Sequence, residues 1–534
     1  MKKSIISGIS SLLMILTVCG ASEVSAQALP NSQQRVIHPN WAPKTWQLRS
    51  NDITTIMGYR AELDGNLTHA ERSTPKLVKD AAVYGFINDN DIMTWEVESP
   101  SEGQYAIALL YCGSSEVLSE CTVEITSGTT TIKEETHPPT WDWKPFFQRH
   151  HLKKNLVLKA GINKITLRLV DVPELQISAA KKALKGEKRN PNFDNSFGLW
   201  SIELVRTEAL PEIEARVKST KADISWMKEG KYGLFVHFSS LGYAFNGNTR
   251  LGSQYHEMVD AFDVDAFVKA VVETGASWVI FTCGHGDQHW PGPNNTIDQL
   301  KPGFTCERDL IRELIDGLKK HDIRFMLYYN PNSGMDDLYG NVYGDGDTPD
   351  PSGYFKFLES LFREVSLRYG EDLASTAGYV DDSGFFLYQY DAPWEALSKA
   401  VKAGNPNAPV GWSQNILPRL SPFCDFTVTD GNYSETTIYP DSFFEKNGQY
   451  EGLNPVIWIY MDGWINNRPY NGTFKKDPHY SAEEYIEIFK KFDKANIPIT
   501  INLTSTSDIT AEHPFFNPVC MDIMKQVRKA IKGY

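Results

Sequence analysis

Gly233-Leu234-Phe235-Val236-His237-Phe238 is a short apolar run that delivers a histidine at its end, and its reading decides the fold of everything after it. Seven further runs of strand type follow: Trp278 to Gly284, Arg324 to Asn330, Gly378 to Asp382, Ala408 to Ser413, Asp425 to Gly431, Pro455 to Asp462 and Ile497 to Thr504. Helical patterns lie between them. Val264 to Thr274 closes at Gly275, and Arg308 to Lys320 carries Leu310, Leu314 and Leu318 on one face. Ser481 with Glu484 forms a capping box ahead of Tyr485, Ile488 and Phe492. Strand and helix alternating eight times over 223–534 predict an α/β (β/α)8 TIM-type barrel, in which chemistry sits at the C-terminal ends of the strands. The polar residues there are His237, His285 with Asp287, Asn330, Asp381 with Asp382, Gln414 with Asn415, Asp430 and Asp462.

Upstream the pattern changes. Over 27–207 short strands alternate with turn residues and helices are few; Thr94 to Val97, Gln104 to Tyr111, Thr122 to Ile125, Asn163 to Val170 and Trp200 to Leu204 are the clearest. They predict an all-β, jelly-roll-like sandwich. Residues 208–222 form a charged, helix-prone linker whose Leu210, Ile213 and Val217 recur at helical spacing, so the two domains are expected in fixed contact. Residues 1–26 read as a signal peptide: Lys2 and Lys3, an apolar run from Ile5 to Val18, and Val24-Ser25-Ala26 before the cut. The expected address is the periplasm or the medium. Cys19 after Leu16-Thr17-Val18 only faintly resembles a lipoprotein signal, which leaves lipid anchoring the lesser alternative. No other stretch approaches the roughly 18 apolar residues needed to span a bilayer.

A chain of 534 residues exceeds what one core supports, so more than one domain is expected. Its net charge of -14 disfavours nucleic acid and anionic membranes as partners, and its aromatic share of 12% suits stacking on sugar faces. Cys112 and Cys121 end one apparent strand and begin the next, open to a hairpin-closing disulfide or to two buried thiols. The cysteine spacing matches no zinc template.

Several of these strings resemble one family. Trp226-Met227 through Lys231-Tyr232-Gly233-Leu234-Phe235-Val236-His237-Phe238 resembles the opening of the α-L-fucosidase barrels, glycoside hydrolase family twenty-nine and its looser relatives. Phe262-Asp263 to Phe267, Thr274-Gly275-Ala276 with Ile280-Phe281-Thr282, Arg308-Asp309-Leu310 and Gly378 to Ser383 are similar to later strings of that family, and the resemblance covers about 222–532. It departs at His285-Gly286, where the family has two histidines, at Tyr379-Val380, and at His256-Glu257-Met258. Upstream, Gly161 to Leu167 with Trp95-Glu96-Val97 and Tyr105-Ala106-Ile107 resembles carbohydrate-binding modules.

The resemblance implies a retaining glycoside hydrolase, an α-L-fucosidase-like exo-enzyme acting on a glycan or oligosaccharide, and the signal peptide makes it an exported one. Asp382 takes the nucleophile's position, and Asp381, counted with the substrate-binding set, turns out of the mouth. Retaining chemistry needs a second carboxyl about 5 to 5.5 Å away. Asp430 is the first choice for proton donor, with Asp462 and Glu257 as alternatives. His237 and His285 would bond ring hydroxyls, and Trp290 or Trp464 would stack on an apolar sugar face. The string His285-Gly286-Asp287-Gln288-His289 offers no third metal ligand, and this chemistry needs neither metal nor cofactor. Two other readings stay open: a glycan-binding protein without activity, and a glycosidase for another sugar, such as an α-galactoside or an O-methylated fucose. The oligomeric state is not legible.

Overall fold

The computed structural model describes residues 43–69, 82–137, 147–185, 195–238, 252–285, 288–330, 338–340, 351–375, 387–388, 390–412, 416–417, 419–429, 455–462, 477–505 and 515–534. The chain is multidomain, with two mainly antiparallel sheets in its first part and a parallel sheet with helices in the rest. Strict alternation builds the first sheets: Met93–Ser99 buries every other residue, and so does Thr122–Ser127. One sheet runs Thr45–Gln47, Met93–Ser99, Gly161–Val170, Thr122–Ser127, Thr130–Glu135; the other centres on Gly103–Cys112 between Phe147–His151 and Gly198–Arg206. The indole of Trp95 donates to the carbonyl of Met57 at 3.0 Å, and Ser99 meets the Tyr105 hydroxyl at 2.8 Å, so the two sheets share one interior.

The hairpin expected at Cys112 and Cys121 is absent. Ser114 caps a short helix, Ser115–Leu118, that carries the chain from one sheet to the other, and the two thiols are buried without being joined. The signal-peptide residues lie outside the described ones.

Among the described residues seven strands make the parallel sheet: β1 (Tyr232–Val236), β2 (Trp278–Thr282), β3 (Arg324–Tyr328), β4 (Leu373–Ser375), β5 (Thr427–Thr429), β6 (Pro455–Tyr460) and β7 (Ile499–Asn502). Their order is β4-β3-β2-β1-β7-β6-β5, so the first strand lies beside the last and sequence neighbours lie side by side. Alternation sorts their side chains. Leu234, Val279, Phe281, Phe325 and Ile501 pack in the large core that also holds the helix residues Phe267, Leu314 and Phe489, whereas Phe235, Ile280, Met326, Tyr328 and Trp458 gather in a separate cluster. Both faces of the sheet are therefore buried, as near-continuous apolar strands require. Ile224, Met227 and Trp226, from the turn and helix before β1, close the second cluster at the strands' N-terminal ends, so this part of the family-like motif serves as a floor.

Within that cluster Gly233 has no alternative. A Cβ there would come within 2.3 Å of the Trp278 ring, whose indole donates to Thr500 at 3.1 Å. The helices end as their residues dictate: Asp263 accepts from Ala266 N–H at 2.9 Å, Gly275 closes the same helix at φ 73°, and Ser481 with Glu484 makes both bonds of the capping box. Arg308, of the Arg-Asp-Leu string, donates to the carbonyls of Val259, Asp260 and Phe262 and thereby caps the Gly252–Asp260 helix.

Of the expected strands one differs and one lies outside the described residues. Gly378 to Asp382 lies outside the described residues, and what is described at the fourth position is Leu373–Ser375, earlier in the chain. The fifth, Ala408 to Ser413, makes no ladder over its described residues. Pro409 has no N–H to give, and the segment is held instead by Ser375 Oγ donating to Pro409 O at 2.6 Å and by Val410 N–H donating to Asp425 at 2.7 Å.

No helix is described between Val401 and Thr427, and that flank meets the sheet that holds Gly103–Cys112. Phe147–His151 pairs in parallel with Ile416–Leu417. Arg149 makes a bidentate contact with Glu203, both bonds at 2.8 Å, and donates to the carbonyls of Arg419 and Leu420. The Tyr388 hydroxyl completes the group, 2.8 Å from Glu203 and 2.9 Å from Ser201. Burial alone would favour the neutral forms, yet the mutual charge of the pair wins: Glu203 lies below the usual carboxylate range and Arg149 above its ordinary value. The linker becomes the helix Leu210–Thr220, with Ile213 buried against Val205 and Ala209 and Arg216 bonded to Glu395 at 2.6 Å. Just beyond it, Asp425 accepts from Ala222 N–H and from the buried Lys402 ammonium, both at 2.8 Å.

Gly233→Ala should destabilise the chain by about 1–3 kcal/mol, the usual cost of overpacking, read as a lowered urea midpoint; an unchanged midpoint would show that Trp278 moves freely. Arg149→Met should leave Glu203 buried without its partner, at a cost of about 3–5 kcal/mol. In the unaltered protein, limited proteolysis should not release an intact N-terminal fragment by cutting within 207–222, whereas Arg149→Met should make that cut fast.

Candidate active site

The strands of the parallel sheet all point the same way, so their C-terminal ends share one rim. His237 directly follows β1, and His285 follows β2 by three residues; both are buried. Their rings stand perpendicular with centroids 5.8 Å apart. Thr282, the last residue of β2, meets His237 Nδ1 at 3.0 Å. Tyr328, the last of β3, stacks on His285 at 5.8 Å and 22°. Phe235, two residues before His237 on the same face of β1, lies 4.3 Å from its ring and forms the dry base of the group.

With Nδ1 fixed by Thr282, His237 Nε2 on the other side of the ring is a donor in one tautomer and an acceptor in the other. A sugar hydroxyl can meet either. Gln288 and Asn330 extend this polar rim: Gln288 donates to Asn330 O at 2.9 Å, and Asn330 N–H donates to Gly284 O at 2.7 Å. Thr282, Gln288 and Tyr328 were not among the expected site residues. Thr282 and Tyr328 could have been found as polar-capable ends of apolar strand runs.

Other expected residues are placed differently. Trp290 is 1% exposed, pairs with Thr305, and packs with Tyr329 at 6.0 Å, so it belongs to the wall and offers no open face for stacking. Glu257 lies on the Gly252–Asp260 helix with its side chain in solvent. Asp462 is buried just beyond β6, but its carboxylate accepts from Thr504 N–H at 3.1 Å and from the Asn517 side chain at 3.4 Å. Asn517 caps the last helix, Pro518–Lys532, so Asp462 ties β6 and β7 to that helix and is spent as a brace. Asp381, Asp382, Asp430 and Trp464 lie outside the described residues. Among the described residues no group of three or more His, Cys, Asp or Glu is placed to hold a metal ion, and no helix is long and apolar enough to cross a membrane.

Residues 251–437 match the family model described as Alpha-L-fucosidase. No curated protein matches the chain. Similar solved structures include an α-L-fucosidase from Bacteroides thetaiotaomicron, 14% identical with a TM-score of 0.41 over 59% of this chain and 75% of that one. Another is α-L-fucosidase isoenzyme 1 from Paenibacillus thiaminolyticus, 15% identical with a TM-score of 0.43 over 59% and 76%. A third is an α-L-fucosidase from Lactobacillus casei in complex with α-L-fucose, 15% identical with a TM-score of 0.40 over 58% and 98%. The family match gives the class: the chain is a glycoside hydrolase. Within that class it is a distant relative of the α-L-fucosidase family, with the matched domain at 251–437.

Burial holds the Asp462 carboxyl above its ordinary value of 3.8, against the opposing hydrogen bonds of Thr504, Cys520 and Asn517. The folded chain therefore binds this proton more tightly than the unfolded one. The stability this confers is complete below the unfolded value and is lost as pH rises through the folded one. Asp462→Asn keeps an acceptor for Thr504 N–H and cannot ionise. Its urea stability relative to the unaltered protein should rise as the pH is raised above the ordinary carboxylate value; a pH-independent difference would show an unperturbed carboxyl.

Proposed function

We propose that this chain is an exported, retaining, α-L-fucosidase-like exo-glycosidase, with its parallel sheet closed as a (β/α)8 barrel over 223–534 and a sandwich over 27–207. The observation that carries the reading is the α-L-fucosidase match over 251–437, a segment that contains both Asp382 and Asp430. The strand order with β1 beside β7 supports closure, and Ala408 to Trp412 fill the remaining interval between β4 and β5. The buried pair of His237 and His285, at the strand ends on one rim, supports a polyhydroxylated ligand.

In this mechanism a carboxylate oxygen of Asp382 attacks the anomeric carbon while the glycosidic oxygen leaves with a proton from Asp430. Asp430 then takes a proton from water, whose oxygen attacks the same carbon, releases Asp382, and restores the original configuration. His237 and His285 hold ring hydroxyls throughout. For Asp430 to be protonated near neutral pH it needs an apolar setting or the repulsion of ionised Asp382. The brace at Asp462 leaves that residue poorly suited to the role. Residues 1–26 supply the export signal, so the mature chain begins at Gln27.

Asp382→Ala should lose several orders of magnitude in hydrolysis of an aryl α-L-fucoside, with partial rescue by azide or formate. If Asp381→Ala is the inactive variant instead, the nucleophile is its neighbour. Asp430→Asn should cripple substrates with poor leaving groups and largely spare the first step for the activated aryl fucoside. Faster hydrolysis of an aryl α-galactoside than of the fucoside would overturn the choice of sugar.

A further inference from the structure

Where the first two sheets meet the parallel-sheet part, the surfaces do not close completely. A cavity of about 290 Å³ remains, walled by Arg49, Ile53 and Glu203 on one side and by Trp394, Glu395 and Phe423 on the other. A second hollow of about 450 Å³ continues from it past Phe355, Lys356 and Tyr390, and the two share Asp391 and Pro393. We propose that this cleft is a second saccharide-binding site, which holds the part of a neutral glycan that lies beyond the sugar being cleaved. The link to a cleaved sugar rests on the glycosidase reading; the binding itself does not.

The size suits the assignment, because the first hollow alone approaches the lower end of the roughly 300–1,000 Å³ typical of ligand pockets. So does the chemistry. Trp394 is half-buried and held edge-on against Trp412 at 5.8 Å, which fixes an aromatic ring in the wall beside the apolar Ile53, Pro393 and Phe423. Charged groups stand around this apolar surface already matched in sign: Arg49 with Asp391 at 2.6 Å, Arg216 with Glu395 at 2.6 Å, and Arg149 with Glu203 at 2.8 Å. A charged ligand in the first hollow would compete with one of these pairs. A sugar presents an apolar face to a ring and hydroxyls that both donate and accept, and it can bond such pairs at their edges without displacing them.

The cleft is also built to stay open. Tyr388, in its wall, is locked between Ser201 and Glu203, and Asp391 is fixed at φ 55° with its N–H bonded to Tyr388 O at 3.0 Å. Burial first, with Asp52 and Glu203 adding to it and Arg49 opposing, pushes the Asp391 carboxyl up to about 6. Its place in the fold connects it to the chemistry. The helices Ser352–Tyr369 and Trp394–Val401 start after β3 and β4, so their first residues lie at the strands' C-terminal ends, the rim that carries His237 and His285. The Asp391 to Trp394 end of the cleft is therefore the end that lies toward that rim.

The test uses the full-length protein and isothermal titration calorimetry with short neutral oligosaccharides lacking fucose, of cello-, galacto- and N-acetyllactosamine type. At least one should bind, and both Trp394→Ala and Asp391→Asn should weaken it roughly tenfold or more while leaving kcat/KM for the aryl α-L-fucoside unchanged. Should Trp394→Ala fail to fold, Asp391→Asn decides alone, since Asn accepts the left-handed backbone and keeps the side chain's shape. No binding by any of the three, or binding that the variants leave intact, overturns the proposal. If cleft-dependent binding is found but no fucoside is hydrolysed, the site stands and the glycosidase reading falls; the reverse pattern removes the site and leaves the enzyme.

Discussion

The structure depends on the buried contact between Arg149 and Glu203, because it is the point at which two differently built halves of the chain become one. Each partner sits on a strand flanking Gly103–Cys112, Arg149 opposite Leu110 and Glu203 opposite Ala108, so their spacing is set by the strand between them. A buried ion pair is weak support for stability, since the lost hydration of both charges offsets most of their attraction. Its value here is geometric. The planar guanidinium has donors to spare after satisfying the carboxylate, and it spends them on the carbonyls of Arg419 and Leu420, which fixes the loop after the fifth strand position. Tyr388 does the same for the segment after β4, and Asp425, joined to Ala222, Val410 and Lys402, repeats the arrangement nearer the linker.

Inside the parallel sheet a different constraint operates. Gly233, Trp278, Thr500 and Trp458 fill one level and Phe235, Ile280 and Met326 lie above it, so the residues that end the strands have no room to sink inward. His237 and Thr282 are held at the rim by what lies beneath them. A sugar-binding histidine needs such support, since its usefulness lies in a fixed ring and a fixed nitrogen. The floor supplied by Trp226 and Met227 explains why a motif remote from the rim belongs to the same pattern.

The alternation of strand and helix was legible because period and length are local properties, and His237 and His285 were legible because they end apolar runs. What failed to show was pairing at a distance. Pro409 and Gly411 sit in an apolar run that reads as a strand, yet a strand needs a donor on each side. Cys112 and Cys121 looked like the two sides of a hairpin, although Ser114-Ser115-Glu116 between them already carried the signature of a helix start. Asp462 had the position of a catalytic acid, and only Asn517, far along the chain, reveals it as a brace. Arg149 and Glu203 are ordinary charged residues on paper, and nothing near either in sequence says that both are buried. Asp382 rests on the family-like string Gly378 to Ser383, and Asp430 on its place at the end of a strand-like run.

The flank between Val401 and Thr427, whose described residues meet a sheet and form no helix, bears on the order of events during synthesis. The N-terminal strands leave the ribosome before any of the parallel sheet exists, and domains generally fold in that order. By the time residues 387–425 emerge, the surface carrying Arg149, Ser201 and Glu203 can already be complete. The earlier half then acts as a mould for the later one: it offers buried charges and a strand edge that only the correct loops can satisfy. A chain permuted so that the parallel sheet came first would have the same contacts at equilibrium, but it would have to shield Leu420, Phe423 and Cys424 from water and from one another's copies until its cover arrived.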